Sequence, residues 1–121
     1  MEYSIILPTL NEKDHILDLI NSISDVLKKK NLIYEIIIVD DNSTDGTIDT
    51  VKSLLGKRDF LKLVVRLNLR KNLAQSINDG IKNAKYQNII WMDADFQHPP
   101  KYIEELTEKS KNFDAVIFSF R

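Results

Sequence analysis

The sequence contains no cysteine and only three glycines and three prolines in 121 residues. Without cysteine the chain can form neither a disulfide scaffold nor a zinc ribbon, and it has no thiol for nucleophilic catalysis. Positive and negative charges nearly cancel, at a net charge of -1, so the composition predicts no nucleic-acid partner. The hydrophobic fraction of 43% is too high for a disordered chain, and we expect one globular domain over residues 1–121.

Long apolar runs and targeting features are also missing. No apolar run approaches the ~20 residues that a membrane-spanning helix needs, and the longest runs, such as Ile36–Val39, are of strand length. The first residues show neither the basic segment nor the cleavage site of a signal peptide. The sequence therefore predicts a soluble, cytoplasmic protein.

Short apolar runs alternate with longer amphipathic segments along the chain. Strands are predicted at residues 4–7, 34–39, 61–67, 88–92 and 115–120, and Pro8 is expected to close the first. Apolar residues at helical spacing predict four helices between these strands. Asn11 is the predicted N-cap of the first helix, and the second should end near Gly56. Pro99 and Pro100 suit the first turn of the fourth.

This alternation predicts both the fold class and the location of a site. It favours an α/β fold, with a Rossmann-like, mostly parallel sheet and helices on both faces. Ligands of such sheets bind beyond the carboxyl ends of the strands. The loops that could carry function are therefore residues 8–12, 40–46, 66–72 and 93–100.

Two carboxylates, Asp93 and Asp95, follow the fourth predicted strand. On an extended segment alternate side chains point to the same side, so the two can converge. Converging carboxylates repel unless a cation lies between them, and oxygen ligands suit Mg²⁺ or Mn²⁺. Gln97 continues the alternation with a neutral oxygen. The alternative for such a pair is a solvated acidic turn before a helix.

A second acidic pair, Asp40 and Asp41, follows the second predicted strand. One of these carboxylates could accept hydrogen bonds from the ring N–H groups of a nucleobase. The residues that follow, 43–46, are expected only to form the turn and cap the next helix. The segment 8–12 is a weaker signal, because it is equally a strand end and a helix cap.

No glycine-rich phosphate-binding loop is present. A diphosphate bound at this edge of the sheet would therefore need a metal ion and side-chain cations. Arg66, Arg70, Lys71 and Arg121 are the candidates for those cations.

Together, three motifs resemble the nucleotide-sugar-binding half of family 2 glycosyltransferases of the GT-A fold. Residues 8–12 (PTLNE) are similar to the family's opening PTYNE, and residues 39–47 (VDDNSTDGT) match its second-strand loop. Residues 92–100 (MDADFQHPP) resemble the metal-binding segment of the branch that transfers sugars to dolichol and polyprenyl phosphates.

The resemblance implies a role for each matching residue. The residues expected to line the base and ribose are Pro8, Glu12, Val39 and Asp41. Those expected to hold the metal and diphosphate are Asp93, Ala94, Asp95 and Gln97, with Asp93 and Asp95 serving catalysis. Arg121 is expected to help hold the donor. Leu10 stands where the family has tyrosine, which removes an aromatic wall from the base and should weaken binding.

The resemblance further implies transfer of a sugar, with inversion, from a UDP- or GDP-linked donor to a polyprenyl or dolichyl phosphate or another acceptor. Family members continue into an acceptor-binding half and often associate with the cytoplasmic membrane face. Residues 1–121 are thus expected to be the nucleotide-sugar-binding part, with an exposed sheet edge through which copies could associate.

Three alternatives remain at this point. The chain could be a nucleotide-binding fragment without transferase activity. A nucleotidyltransferase would want a glycine-rich, basic loop after the first strand, and residues 8–12 are neither. A phospho-accepting receiver domain would need its acidic pair after the first strand, where Pro8 and Thr9 stand.

Overall fold

The computed structural model describes residues 2–67, 70–92, 94, 101–110 and 117–120. The strands are β1 (Glu2–Thr9), β2 (Ile33–Asp40), β3 (Leu61–Val65), β4 (Asn88–Met92) and β5 (Ile117–Phe120). The helices are α1 (Lys13–Lys29), α2 (Thr47–Leu55), α3 (Leu73–Lys82) and α4 (Lys101–Ser110). The predicted alternation is confirmed. Among the described helices, none combines the length and apolar character needed to cross a bilayer.

The described strands form one parallel sheet in the order β3-β2-β1-β4-β5. The chain first builds outward from β1 to β3 and then returns to place β4 on the other side of β1. This reversal creates a switch point between β1 and β4, where ligands bind in open α/β sheets. The order differs from the 2-1-3-4-5 order of receiver domains, so the receiver alternative is wrong.

Pro8 does not close β1 as predicted, because the strand continues to Thr9. Pairing with β2 runs as far as Thr9↔Asp40, whereas pairing with β4 ends at Ile6↔Trp91. Beyond that point β2 is the only described strand that pairs with β1, and proline, which has no N–H group, can be accommodated there. The end of β1 therefore projects past β4 and borders an open crevice.

Both faces of the sheet are covered, as predicted. One face packs against α1, α2 and α4 through residues that include Leu19, Val51 and Ile103. The other face is smaller, is formed by Ile6, Ile37, Val39 and Ile89, and packs against Ile81 of α3. Burial on both faces explains why β2 is an almost continuous apolar run.

Gly80 lets α3 approach the sheet closely. A Cβ atom at this position would lie 2.6 Å from Cγ2 of Ile6, which is closer than two carbon atoms can pack. Only glycine leaves room for that contact. The close approach sets the distance between α3 and the sheet. It thereby also sets the position of the first turn of α3, which borders the crevice.

A buried carboxylate joins the starts of the central strands. Glu35 of β2 is only 4% exposed. It accepts hydrogen bonds from Ser4 Oγ at 2.6 Å and from the Lys85 N–H group, and it pairs with Lys62 Nζ at 2.7 Å. Burial raises the pKa of Glu35, but the bonds from Lys62 and Ser4 outweigh it and hold the pKa below its usual 4.5.

Candidate functional site

A cleft of about 360 Å³ lies at the carboxyl edge of the sheet, at the switch point. It is bordered by the end of β1 and the loop after it, by the residue after β2, by the start of α3, and by the turn after β4. The lining residues are Pro8, Thr9, Leu10, Glu12, Asp41, Lys71, Asn72, Leu73, Ser76 and Ala94. The predicted loops after β1, β2, β3 and β4 therefore meet at one place.

Asp41 lies at the centre of the polar contacts around this cleft. Its carboxylate accepts a hydrogen bond from the Asn72 N–H group at 2.9 Å, and its other oxygen pairs with Arg66 Nη1 at 2.6 Å. Its own N–H group donates to the Thr9 carbonyl at 3.0 Å, and Lys71 Nζ donates to its carbonyl oxygen at 2.9 Å. Asp41 is therefore held in one orientation by the end of β1 and by the residues that follow β3.

Arg66 was a candidate cation for a diphosphate, but the structure commits it elsewhere. Its guanidinium bridges Asp41 and the Asp79 carboxylate of α3, the latter at 2.9 Å, and it is only 5% exposed. It does not line the cleft. Of the described basic candidates, Lys71 borders the cleft, while Arg70 is exposed and does not border it. Sequence reasoning did not identify Asp79 or Ser76 as part of this neighbourhood.

Asp40 has a role different from that of its neighbour Asp41. It is fully buried, and its carboxylate accepts hydrogen bonds from Thr9 Oγ1 at 2.6 Å and from the N–H and Oγ groups of Ser43 at 2.7 Å. With these bonds Asp40 shapes the turn after β2. Of the acidic pair, only Asp41 lines the cleft.

The prediction that Asn11 caps α1 is wrong. Glu12 is the N-cap residue, and it makes no side-chain capping bond. The N–H groups at this end of α1 are satisfied by the β2–α2 loop and the first residue of α2: Glu12 N–H donates to Thr47 Oγ1 at 3.0 Å and Lys13 N–H to Asp45 Oδ2 at 3.1 Å. A loop more than thirty residues away in sequence caps the helix, so local sequence rules could not find it.

Residues 43–46 were expected to serve only their own turn, yet two side chains of the β2–α2 loop, together with the first side chain of α2, also bind the β1–α1 loop or the start of α1. Ser43, Asp45 and Thr47 accept hydrogen bonds from Asn11, Lys13 and Glu12, respectively. Bonds from the Thr47 hydroxyl, together with the Lys13 and Thr47 N–H groups, lower the pKa of Asp45 below its usual value. The two loops thus form one hydrogen-bonded unit beside the cleft.

Most of the predicted nucleotide ligands lie in the described part of the chain. Pro8, Glu12, Asp41 and Ala94 all line the cleft, as does Leu10, which is 41% exposed. Val39 is fully buried in the smaller core cluster and does not line it.

The predicted metal ligands Asp93, Asp95 and Gln97, and the predicted donor ligand Arg121, lie outside the described residues. Within the described part of the chain, no group of three or more histidine, aspartate or glutamate residues could hold a metal ion. The residues that flank Asp93 are described: β4 ends at the buried Met92, and Ala94 borders the cleft.

The sequence profile described as Glycosyl transferase family 2 matches residues 4–121. The chain belongs to this family. Over 121 residues it is 38% identical to the dolichol-phosphate mannosyltransferase of Pyrococcus furiosus, and the match covers 100% of this chain and 33% of that protein. This family 2 glycosyltransferase chain thus spans about a third of the length of that relative.

Solved glycosyltransferases of the GT-A fold share the architecture. Mannosyltransferase PcManGT from Pyrobaculum calidifontis, in complex with GDP-Man and Mn²⁺, superposes with a TM-score of 0.65 at 29% identity, over 77% of this chain and 27% of that one. S. aureus TarS 1–349, in complex with UDP, superposes with a TM-score of 0.67 at 26% identity, over 93% of this chain and 32% of that one. The predicted fold class is confirmed.

Proposed function

We propose that residues 1–121 bind the nucleotide sugar of a glycosyltransferase that transfers a sugar, with inversion, to a polyprenyl or dolichyl phosphate. The observation that carries this proposal is the cleft at the β1–β4 switch point, where the residues matched to the family's nucleotide-binding motifs meet. The relative named as a dolichol-phosphate mannosyltransferase supports the acceptor class. The neighbours bound to GDP-Man and to UDP support a nucleoside diphosphate donor.

Asp41 is the proposed partner of the base. Each carboxylate oxygen has two lone pairs. Arg66 uses one lone pair of Oδ1, and the Asn72 N–H group uses one lone pair of Oδ2. A lone pair therefore remains on each oxygen for the N–H groups of a base. Because the pair with Arg66 keeps the carboxylate oriented before a ligand arrives, little ordering would be needed on binding.

Pro8, Glu12 and Ala94 are proposed to complete the nucleotide site around Asp41. All three line the same cleft. Val39 and Arg121 remain proposed ligands from the resemblance alone, and Val39 is fully buried within β2.

Asp93, Asp95 and Gln97 are proposed to hold Mg²⁺ or Mn²⁺. Two carboxylates and one amide oxygen are the hard, oxygen-only donor set that these ions prefer. A neighbour of the same fold is complexed with Mn²⁺. When bound, such an ion would offset the negative charge that develops on the departing diphosphate. In the sequence these donors follow β4 directly, and Asp93 and Asp95 flank Ala94, which lines the cleft.

A lipid phosphate acceptor is consistent with the described side chains. An alcohol acceptor would require a general base near the sugar, whereas a phosphate acceptor is already anionic near neutral pH. The described carboxylates that line the cleft are Asp41 and Glu12. Asp41 is held by Arg66 and Asn72, and Glu12 is already proposed as a ligand of the nucleotide. A phosphate nucleophile removes the need for a further base.

The alternative is a nucleotide-binding unit that does not transfer sugar by itself. The chain spans 33% of the length of the Pyrococcus furiosus relative. Sugar transfer by residues 1–121 to a polyprenyl phosphate, measured with a radiolabelled donor, tests whether this part of the chain transfers sugar by itself. We expect binding without transfer, because acceptor positioning needs residues outside the donor site.

The donor-site assignment is tested by comparing Asp41→Asn with Asp95→Ala. Asp41→Asn should weaken a nucleoside and its diphosphate alike, by about tenfold to a hundredfold, because a hydrogen bond to a charged group contributes about 1.5–3 kcal/mol. Asp95→Ala should weaken only the diphosphate. Calorimetry with guanosine, GDP, uridine and UDP measures all four affinities, and equal losses for the nucleoside in both variants would contradict the assignment.

A further inference from the structure

Asn11 lies between two residues of the cleft and does not line it. Leu10 and Glu12 border the cleft, whereas the Asn11 side chain faces the neighbouring loop. Its Oδ1 accepts the Thr44 N–H group at 2.9 Å, and its own N–H group donates to Ser43 Oγ at 2.8 Å. These two bonds form a reciprocal pair that joins the β1–α1 loop to the β2–α2 loop.

The reciprocal pair continues into the buried interior. Ser43 Oγ donates in turn to Asp40 Oδ1 at 2.7 Å, and Asp40, which is fully buried, also accepts from Thr9 at the end of β1. A chain of hydrogen bonds thus runs from the exposed Asn11 to the ends of both central strands. Asp41, the next residue, is the proposed partner of the base.

Asparagine suits this position for two reasons. The backbone of Asn11 is left-handed, with φ of 56°, a conformation that asparagine tolerates better than most residues. Its amide oxygen also supplies the acceptor for Thr44 N–H. Glycine would adopt the same backbone but would lose that acceptor, so the two contributions can be separated by substitution.

We propose that Asn11 is a positioning residue for nucleotide binding, which holds Leu10 and Glu12 at the distance from Asp41 that a bound nucleoside requires. This inference rests on the proposed function. Asn11 touches no ligand in this scheme. By holding the loop in place beforehand, Asn11 reduces the conformational entropy that the loop loses when the nucleotide binds.

The chain supplies a matched control in Asn31. Asn31 is exposed, like Asn11, and has φ of 57°, so replacement by glycine changes the backbone and the unfolded chain in the same way. It lies beyond the opposite end of α1, a helix of 17 residues and about 25 Å long. A difference between Asn11→Gly and Asn31→Gly therefore reports the hydrogen bond to Thr44.

The experiment measures GDP and UDP affinity, at saturating Mn²⁺, for the wild type, Asn11→Gly, Asn31→Gly and Asn11→Asp. Loss of one hydrogen bond should weaken binding by Asn11→Gly about twofold to tenfold, while Asn31→Gly binds as the wild type does. Asn11→Asp, which keeps the acceptor oxygen, should restore most of the affinity. Amide exchange in the unliganded proteins should show faster exchange at Thr44 in Asn11→Gly alone.

Three results would overturn the inference. Equal affinities for the two glycine variants would show that the loop contact does not act on the site. Nucleotide binding by Asn11→Asp that is as weak as binding by Asn11→Gly would show that the acceptor oxygen is not responsible. A wild-type chain that binds neither nucleotide would overturn the proposed function, and this inference with it. Ser43→Ala, which removes the acceptor of the Asn11 N–H group, should reproduce the loss if Asn11→Gly does not fold.

Discussion

Arg66 Nη1 lies 2.6 Å from Asp41 Oδ1, and the two side chains are only 5% and 9% exposed. A buried ion pair is tolerated only when its remaining hydrogen-bonding groups are satisfied as well. Here Asp79 binds the Nε side of the guanidinium, and the Asn72 N–H group binds the second oxygen of Asp41. The pair thus ties together β2, the segment after β3, and α3, the elements that form one wall of the cleft.

Arg66→Leu should lower the free energy of unfolding by about 3–5 kcal/mol, because it leaves the Asp41 carboxylate buried without its cation. Arg70→Leu is the matched control, since Arg70 is exposed and only its main-chain carbonyl meets Arg66. Its effect should stay within about 0.5 kcal/mol. Urea denaturation monitored by circular dichroism measures both, and similar values for the two variants would show that the pair carries no stability.

Leu10→Tyr should tighten nucleotide binding by about threefold to tenfold, since an aromatic contact adds about 0.5–1.5 kcal/mol beyond the area it buries. Leu10 lines the cleft and is 41% exposed, so the larger tyrosine side chain can be accommodated there without disturbing the core. Leu17→Tyr serves as the control, because Leu17 is 39% exposed but does not line the cleft. Calorimetric titration measures both affinities. An unchanged affinity for Leu10→Tyr would place the base elsewhere.

Gly80→Ala should destabilise the fold by about 1–3 kcal/mol, because its Cβ would overlap Ile6 and push α3 away from β1. Gly56→Ala provides the comparison, since a Cβ atom there would meet nothing within 4 Å and the backbone is right-handed. That variant should be neutral or slightly stabilising. Thermal unfolding distinguishes them, and a Gly80→Ala protein as stable as Gly56→Ala would refute the close approach.

Glu35 should make stability fall in acid. Because its folded-state pKa lies below the usual 4.5, its contribution is present above that pH and is lost as the pH falls through the folded-state value. Glu35→Gln should cost about 1–3 kcal/mol at pH 7, since it weakens buried hydrogen bonds. The variant should also lose less stability than the wild type as the pH falls below 4.5. Glu105→Gln, at an exposed carboxylate of α4, is the control. Identical pH profiles for wild type and Glu35→Gln would exclude this role.

The alternation of strands and helices, and the edge of the sheet at which the site lies, could be predicted from the sequence. Apolar periodicity reports burial directly, and the carboxyl ends of parallel strands must share one edge. The position of Pro8 was harder to interpret. Whether a proline ends a strand depends on which strands pair with it at that residue. Pairing of β1 with β4 stops at Ile6, two residues before Pro8.

The polar contacts that support the site could not be predicted, because they join residues far apart in the chain. Arg66 and Asp41 are 25 residues apart, and Asn11 and Thr44 are 33 apart. Local rules assigned Asn11 to a helix cap and Arg66 to a phosphate, since each rule considers only near neighbours or a side chain's charge. Only the sheet order shows that the loops after β1, β2 and β3 are adjacent.

The central claim is that the cleft at the carboxyl edge binds a nucleoside diphosphate with the help of a divalent cation. Calorimetric titration of residues 1–121 with GDP and with UDP, first in Mn²⁺ and then in excess chelator, tests it most directly. The account predicts saturable binding of one nucleotide per chain in Mn²⁺ and markedly weaker binding in chelator. Equal affinity in both conditions would contradict the role of the metal, and no binding in either would contradict the site itself.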